Sequence, residues 1–203
     1  MKLKYIIKPA ILKNLCFIIF CFNVSFSFSF SQEIGFPVIR NYLPKEYNNT
    51  PQVFGLVQGK SGIMYFGVDG GVMEYDGVTW RNISNGKQAY SYDLAKDKIG
   101  TIYVGADEDF GYLDTDLKGN TVYKSITHLI SDTTIDIGAV WSVKITSEYV
   151  YFRTFSSIFQ YKSSPENLQI FKADSNSSFS LDFVYNDVFY TKMFQKGLMK
   201  IKD

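Results

Sequence analysis

Three consecutive carboxylates, Asp107, Glu108 and Asp109, form the densest group of ionisable side chains in the sequence, and Asp69 holds the corresponding place 38 residues earlier. Paired carboxylates can act as acid and base on a glycosidic bond, or hold a cation. Neighbouring acids beside a tight turn are more often solvated loop residues, and that reading is preferred. His128 is the only histidine, so a histidine-based triad or a multi-histidine metal site would need it plus partners, and no Gly-x-Ser-x-Gly elbow exists; a loop or strand-end histidine is the preferred reading. The run Asp114-Thr115-Asp116-Leu117-Lys118-Gly119-Asn120 starts like a calcium loop, but Lys118 stands at its fifth position and Ser125 at its twelfth. Two of the expected acidic ligands are therefore missing, and a polar hairpin loop is expected. No catalytic residue, metal ligand or cofactor is assigned.

Aromatic side chains make the better argument for binding. Tyr90, Tyr92, Trp141 and Phe155 fall near the ends of short apolar runs, where loops gather. Their faces could stack on a sugar or another flat ligand, although packing between structural units would use the same residues.

The elements that would position these residues are repeats. One unit reads Val53 to Gly62, then Ile63-Met64-Tyr65-Phe66-Gly67, Asp69-Gly70-Gly71, Val72-Met73-Glu74-Tyr75, and Asp76-Gly77 before Trp80. Apolar runs of four or five residues divided by Gly or Asp-Gly indicate short antiparallel strands, with Asp76-Gly77 expected as a two-residue turn. A second unit follows at an offset of 38: Gly100 matches Gly62, Gly105 matches Gly67, and Asp107 matches Asp69. Gly111-Tyr112-Leu113-Asp114 is aligned with Gly71 to Glu74 after a short insertion. A looser third unit aligns Val140-Trp141-Ser142-Val143 with Val53-Phe54-Gly55-Leu56, and Tyr149 to Phe152 with Ile63 to Phe66. A fourth starts near Phe179 and includes Gly197-Leu198-Met199-Lys200-Ile201. Helical spacing is nearly absent apart from a short turn at Ile126–Ile130. Four short strands per roughly 40 residues in tandem is the arithmetic of an all-β fold of β-propeller blades. The blades are expected at about 51–86, 87–128, 137–175 and, in part, 179–203, after a lead-in at 32–50. Gly62, Gly67, Gly100 and Gly105 are expected at turns or crowded strand ends, and Trp80 between blades. Rings usually close with four to eight blades, so the repeats read as an incomplete propeller, the front of a longer one.

The N-terminus has a different character. Lys2, Lys4, Lys8 and Lys13 precede the apolar run Leu15 to Phe22 and a Ser/Phe tract ending at Ser31. This is the pattern of a secretory signal peptide over 1–31, an uncleaved signal anchor being the rival reading. Cys16 and Cys21, the only cysteines, both lie within it, so the exported part could form no disulfide. Without those four lysines the chain has 17 basic and 20 acidic side chains, a net charge of −3 that argues against nucleic acid as a partner. An exported, periplasmic or cell-surface protein is expected, linked to a membrane only through its signal or a segment beyond residue 203.

The motifs Gly62, Tyr65-Phe66-Gly67, Asp69-Gly70-Gly71-Val72, Tyr75-Asp76-Gly77 and Trp80 resemble the repeats of the two-component regulator propeller family. The lead-in Gly35-Phe36-Pro37-Val38-Ile39-Arg40-Asn41-Tyr42 is similar to the opening of its triple-tyrosine members. Lys60 and Lys98 depart from the family's Asp before the turn glycine, and Arg153 stands where unit three would carry its glycine. The resemblance implies a periplasmic sensor of the kind common in Bacteroidetes-type bacteria, with the propeller as input. It also implies further propeller, a Tyr-rich sandwich, a membrane helix and an output domain in a longer protein, and a ligand that is carbohydrate in members near polysaccharide-use loci. A sensing or protein-contacting module rather than an enzyme is therefore expected. The alternatives are a carbohydrate-active enzyme on the same scaffold and a secreted structural or adhesive propeller.

Overall fold

A computed structural model describes Asn14, Phe17 and residues 39–201. The expected signal peptide and most of the lead-in lie outside the described residues. Among those described, no helix is long and apolar enough to cross a membrane.

From Tyr42 onward the chain forms four antiparallel sheets, each a meander in sequence order. Blade 1 holds β1 (Gly55–Gln58), β2 (Met64–Val68), β3 (Gly71–Tyr75) and β4 (Trp80–Ile83). Blade 2 holds β5 (Ser91–Lys96), β6 (Ile102–Ala106), β7 (Asp109–Thr115) and β8 (Thr121–Ser125), and a 3-10 turn at Thr127–Leu129 follows it. Blade 3 holds β9 (Ser142–Ile145), β10 (Val150–Arg153), β11 (Ser157–Ser163) and β12 (Glu166–Lys172). Blade 4 has three strands, β13 (Phe179–Tyr185), β14 (Val188–Met193) and β15 (Gly197–Lys200). These are propeller-like blades, and they do not close into a ring.

A blade presents apolar side chains on both faces because each face meets a different neighbour. In β6 all five residues are buried, which only a strand covered on both sides permits. Tyr65, Val72 and Ile83 of blade 1 pack on Leu94, Ile102, Val104 and Leu113 of blade 2. Tyr103, Phe110 and Ile126 of blade 2 pack on Val143, Phe152 and Phe159 of blade 3. The Phe110 ring lies 4.6 Å from that of Phe152 and 4.8 Å from that of Phe159. At the third interface Tyr151 stacks on Phe189 at 4.3 Å, beside Ile158, Phe179 and Met193. Burying aromatic rings of 150–250 Å² at about 25 cal/mol per Å² makes these interfaces the main source of stability.

Pairing register shows how closely the blades approach. Gly67 pairs with Gly55, Gly105 with Asp93 and Arg153 with Ser142, each joining the second strand of a blade to its first. A Cβ on Gly67 would stand 2.5 Å from the Ser91 carbonyl oxygen, and one on Gly105 2.9 Å from that of Val140. The next blade's backbone thus excludes a side chain at these two positions. At the third interface the glycine is replaced by Arg153, which ion-pairs with Asp182 of blade 4.

Four local expectations are corrected. The second unit has no insertion: Phe66 pairs with Met73 and Val104 with Gly111, so the offset of 38 continues and Asp109, not Gly111, takes the place of Gly71. Asp109 is consequently not a loop carboxylate; it is buried in β7 and accepts a hydrogen bond from the Ser125 hydroxyl at 2.7 Å. The Asp76-Gly77 turn is longer than two residues. Tyr75 pairs with Trp80, and Asp76 Oδ1 accepts the Val78 and Thr79 N–H groups across the four residues between. Trp80 does not pack between blades 1 and 2. Period-two alternation puts it with Tyr75 and Phe66 on the opposite face, where Tyr42 and Tyr47 of the strap around helix α1 (Pro44–Tyr47) close on it at 5.3 and 5.5 Å.

Hydrogen bonds and ion pairs at turns, between strands and between blades favour the charged form of five carboxylates. The backbone N–H groups of Thr79 and Val78 lower the pKa of Asp76, the Lys124 ammonium that of Asp114, and the Asn120 N–H that of Asp116. The hydroxyls of Thr134 and Ser147 do the same for Asp132 and Asp187. A lowered folded-state pKa contributes stability that is complete above the ordinary value of about 4 and is lost as pH falls through the folded one. The urea midpoint is therefore expected to be lower at about pH 3 than at about pH 6; an unchanged midpoint would show that these contacts do not lower the carboxylates' pKa in solution.

Candidate functional site

The repeat places one aromatic side chain at the same point of three successive blades, at the start of the innermost strand. Phe54 immediately precedes β1, Tyr92 lies in β5 next to its first residue, and Trp141 immediately precedes β9. Adjacent blades bring their rings together: Phe54 to Tyr92 is 5.1 Å between centroids, and Tyr92 to Trp141 is 4.4 Å. Tyr90 extends the group on one side, 5.6 Å from Phe54 and stacked at 6.1 Å on Tyr92. Phe155, on the turn between β10 and β11, extends it on the other, 5.8 Å from Trp141. Tyr90, Trp141 and Phe155 are 38%, 40% and 55% exposed, so the five rings form a ribbon open to solvent across blades 1 to 3.

Sequence reasoning proposed Tyr90, Tyr92, Trp141 and Phe155 separately, and the structure brings all four together. Phe54 was missed, although the alignment of Val53-Phe54-Gly55-Leu56 with Val140-Trp141-Ser142-Val143 already set it opposite Trp141.

An acidic turn borders the ribbon. The Asp107 N–H donates to the Tyr90 carbonyl at 2.9 Å, and Asp107 bridges to Ala139, two residues before Trp141. Partial burial raises the pKa of the Tyr92 phenol, and the negative charge of Asp107 adds to that shift. Glu108, beside it, is met by Lys87 at 3.9 Å, both side chains being exposed. Asp69, at the same turn of blade 1, does not join the ribbon. It lines a shallow cleft of about 820 Å³ with Asn49, Asn82, Ser84 and Gln88.

The remaining signature residues have structural places. Gly62, Gly77 and Gly100 lie in turns with positive φ, Gly71 opens β3 and Gly197 opens β15, and Tyr75 stacks on Trp80 at 4.0 Å. Asp76 caps its turn. His128, in the 3-10 turn, lies 3.2 Å from the Ser125 carbonyl through Nδ1. Asp116 accepts the Lys118 and Asn120 N–H groups, which makes the calcium-like segment a capped hairpin loop. Among the described residues no group of three or more His, Cys, Asp or Glu could hold a metal ion.

No family model and no curated protein matches the chain. Solved structures do. The extracellular domain assigned to the hybrid two component system BT3049 from B. thetaiotaomicron matches with a TM-score of 0.58 and 14% identity, over 81% of this chain and 24% of that one. The extracellular domain of BT4673 from the same organism, assigned to a hybrid two component system, matches at 0.55 and 18% identity over 74% of this chain. A second structure of it, assigned to a one component system, gives 0.56 and 20%. The chain spans about a fifth to a quarter of the length of these domains, 21% and 24%. At such identities the likeness is one of fold, over the part of those domains that the chain covers.

Proposed function

We propose that the chain is the propeller part of an extracytoplasmic sensor of the two-component regulator propeller type, exported by a signal peptide within residues 1–31, and that the aromatic ribbon is its ligand-contact surface. The observation that carries the reading is the ribbon itself. A monomer gains nothing in stability by leaving Trp141 and Phe155 half exposed at a point where buried aromatics would serve packing better. Aromatic faces at regular spacing suit a saccharide chain, whose rings stack without needing a deep pocket. That is the ligand class implied by the sequence resemblance. The fold shared with the B. thetaiotaomicron extracellular domains supports a role in reception rather than turnover.

Trp141 joins Tyr92 to Phe155 and is 40% exposed, so the test is direct. Trp141→Ala in the purified chain is expected to weaken binding of a saccharide found by array screening at least about tenfold, or 1.4 kcal/mol. Its circular dichroism should stay that of the parent. Unchanged affinity in a folded Trp141→Ala protein would remove the ribbon as the site.

A second feature supports a larger assembly. On blade 4, Leu181, Phe183, Tyr185 and Leu198 line the face turned away from blade 3 and are between 38% and 63% exposed, with Phe183 stacked on Tyr190 at 5.2 Å. In blades 1 to 3 the equivalent face receives the next blade. We read this face as the seat of a further blade of the same propeller.

A further inference from the structure

We infer that the ribbon discriminates by charge, with Asp107 as the residue that makes it favour saccharides bearing free amines over those bearing carboxylates. The inference rests on the ribbon being the ligand surface, and it adds which ligands that surface accepts. Its basis is where the β6–β7 turn is held. One side of Asp107 is fixed by its N–H bond to the Tyr90 carbonyl, the other by its bridge to Ala139. Directly before it, the Ala106 carbonyl accepts the Val140 N–H at 3.0 Å. The turn is thus held between the Tyr90 backbone of blade 2 and the segment that leads into Trp141 of blade 3, beside the ribbon where the two blades meet.

Little positive charge offsets it. Lys87 serves Glu108, both through its carboxylate at 3.9 Å and through its carbonyl at 2.9 Å, and an exposed pair of this kind is weak. The basic groups deeper in the same blades are committed elsewhere. Lys144 lies 3.4 Å from Asp93 and 3.8 Å from Asp182, and Arg153 is paired with Asp182. Among the described residues no basic side chain pairs with Asp107, whose negative charge is felt at Tyr92, so a ligand stacked there meets that charge. Like charges a few ångströms apart at a protein surface repel by enough to change affinity about three- to tenfold, and opposite charges attract by as much.

Three hexasaccharides of one β-1,4-linked gluco shape and three charges separate the outcomes: fully deacetylated glucosamine hexamer, its N-acetylated neutral form, and β-1,4-linked glucuronate hexamer. Each is titrated calorimetrically into the purified chain at about pH 5.5, where an ordinary aspartate is ionised. The amine hexamer is expected to bind at least about threefold more tightly than the neutral one, and the glucuronate hexamer at least about threefold more weakly. Asp107→Asn should bring the three affinities together, whereas Glu108→Gln, turned to solvent, should change them less. Raising the salt to about 0.5 M should narrow the spread. Glucuronate hexamer binding as tightly as the amine hexamer, or an Asp107→Asn protein with the parent's preference, overturns the charge selection while leaving the ribbon as the site. No binding by any of the three overturns the saccharide-binding ribbon and the selection together.

Discussion

Replacing Asp182 by alanine is expected to cost the fold about 3–5 kcal/mol, because it strands a buried guanidinium. The Arg153 and Asp182 side chains are 7% and 3% exposed, and Arg153 Nε donates directly to Asp182 Oδ1. The other carboxylate oxygen accepts the Ser142 hydroxyl at 2.6 Å, and that hydroxyl in turn accepts from Lys144 at the same distance. Lys144 continues to Asp93, whose carboxylate also accepts the Val143 N–H at 2.9 Å. A chain of polar contacts thus runs through the first strands of blades 2, 3 and 4, with Asp182 as its only strongly buried carboxylate. Arg153 Nη1 is buried without a hydrogen bond even with Asp182 present, so no second acceptor is waiting to take over. The pair itself contributes little against an apolar substitute, since both charges have lost their water. Urea melts should therefore show Asp182→Ala far less stable than a double variant carrying Arg153→Met and Asp182→Leu, which removes both charges and keeps the volume. An Asp182→Ala midpoint close to the parent's would show that blades 3 and 4 are not joined this way.

That contact also marks the limit of what could be read from the residues in order. The offset of 38 was legible because glycine positions are dictated by backbone: Gly67 and Gly105 lie where the next blade's carbonyls pass, and Gly62 and Gly100 in turns of positive φ. Such demands recur with the repeat and leave a periodic mark. Arg153 departs from that mark, and its reason lies 29 residues on, in Asp182, which no local pattern connects to it. Trp80 failed differently. The sequence reading set it between blades. In the structure alternation puts it with Tyr75 and Phe66, but period two does not tell which neighbour covers a face, and here the cover is Tyr42 and Tyr47 from before the first blade. Asp109 was misread because acidic residues in sequence suggest a loop, whereas the turn takes only Asp107 and Glu108 and β7 begins at once. The ribbon was four-fifths visible for the same reason the blades were: its central members repeat.

Gly71→Ala should be nearly as damaging as the loss of Asp182, and its effect should reach the ribbon. Gly71 has φ +134°, a backbone conformation that costs a side-chain-bearing residue about 1–3 kcal/mol. A Cβ there would also stand 2.2 Å from the Ile83 carbonyl oxygen and 3.2 Å from the Asn85 nitrogen. Forcing backbone apart adds about 1–3 kcal/mol more. Gly77, with φ +100° but nothing within 4 Å of the same position, separates the two costs: Gly77→Ala should show the first alone. The displaced stretch is not an idle loop. The buried Asn85 side chain donates to the Ala89 carbonyl at 2.9 Å and accepts the Ala89 N–H at 3.1 Å, fixing the connection that delivers Tyr90 beside Tyr92. Moving Ile83 to Asn85 outward must loosen that brace. Gly71→Ala is thus expected to lower both the urea midpoint and saccharide affinity, and Gly77→Ala only the midpoint. Equal losses of stability in the two variants would mean that β3 and β4 are not packed as tightly as the Gly71–Ile83 approach requires.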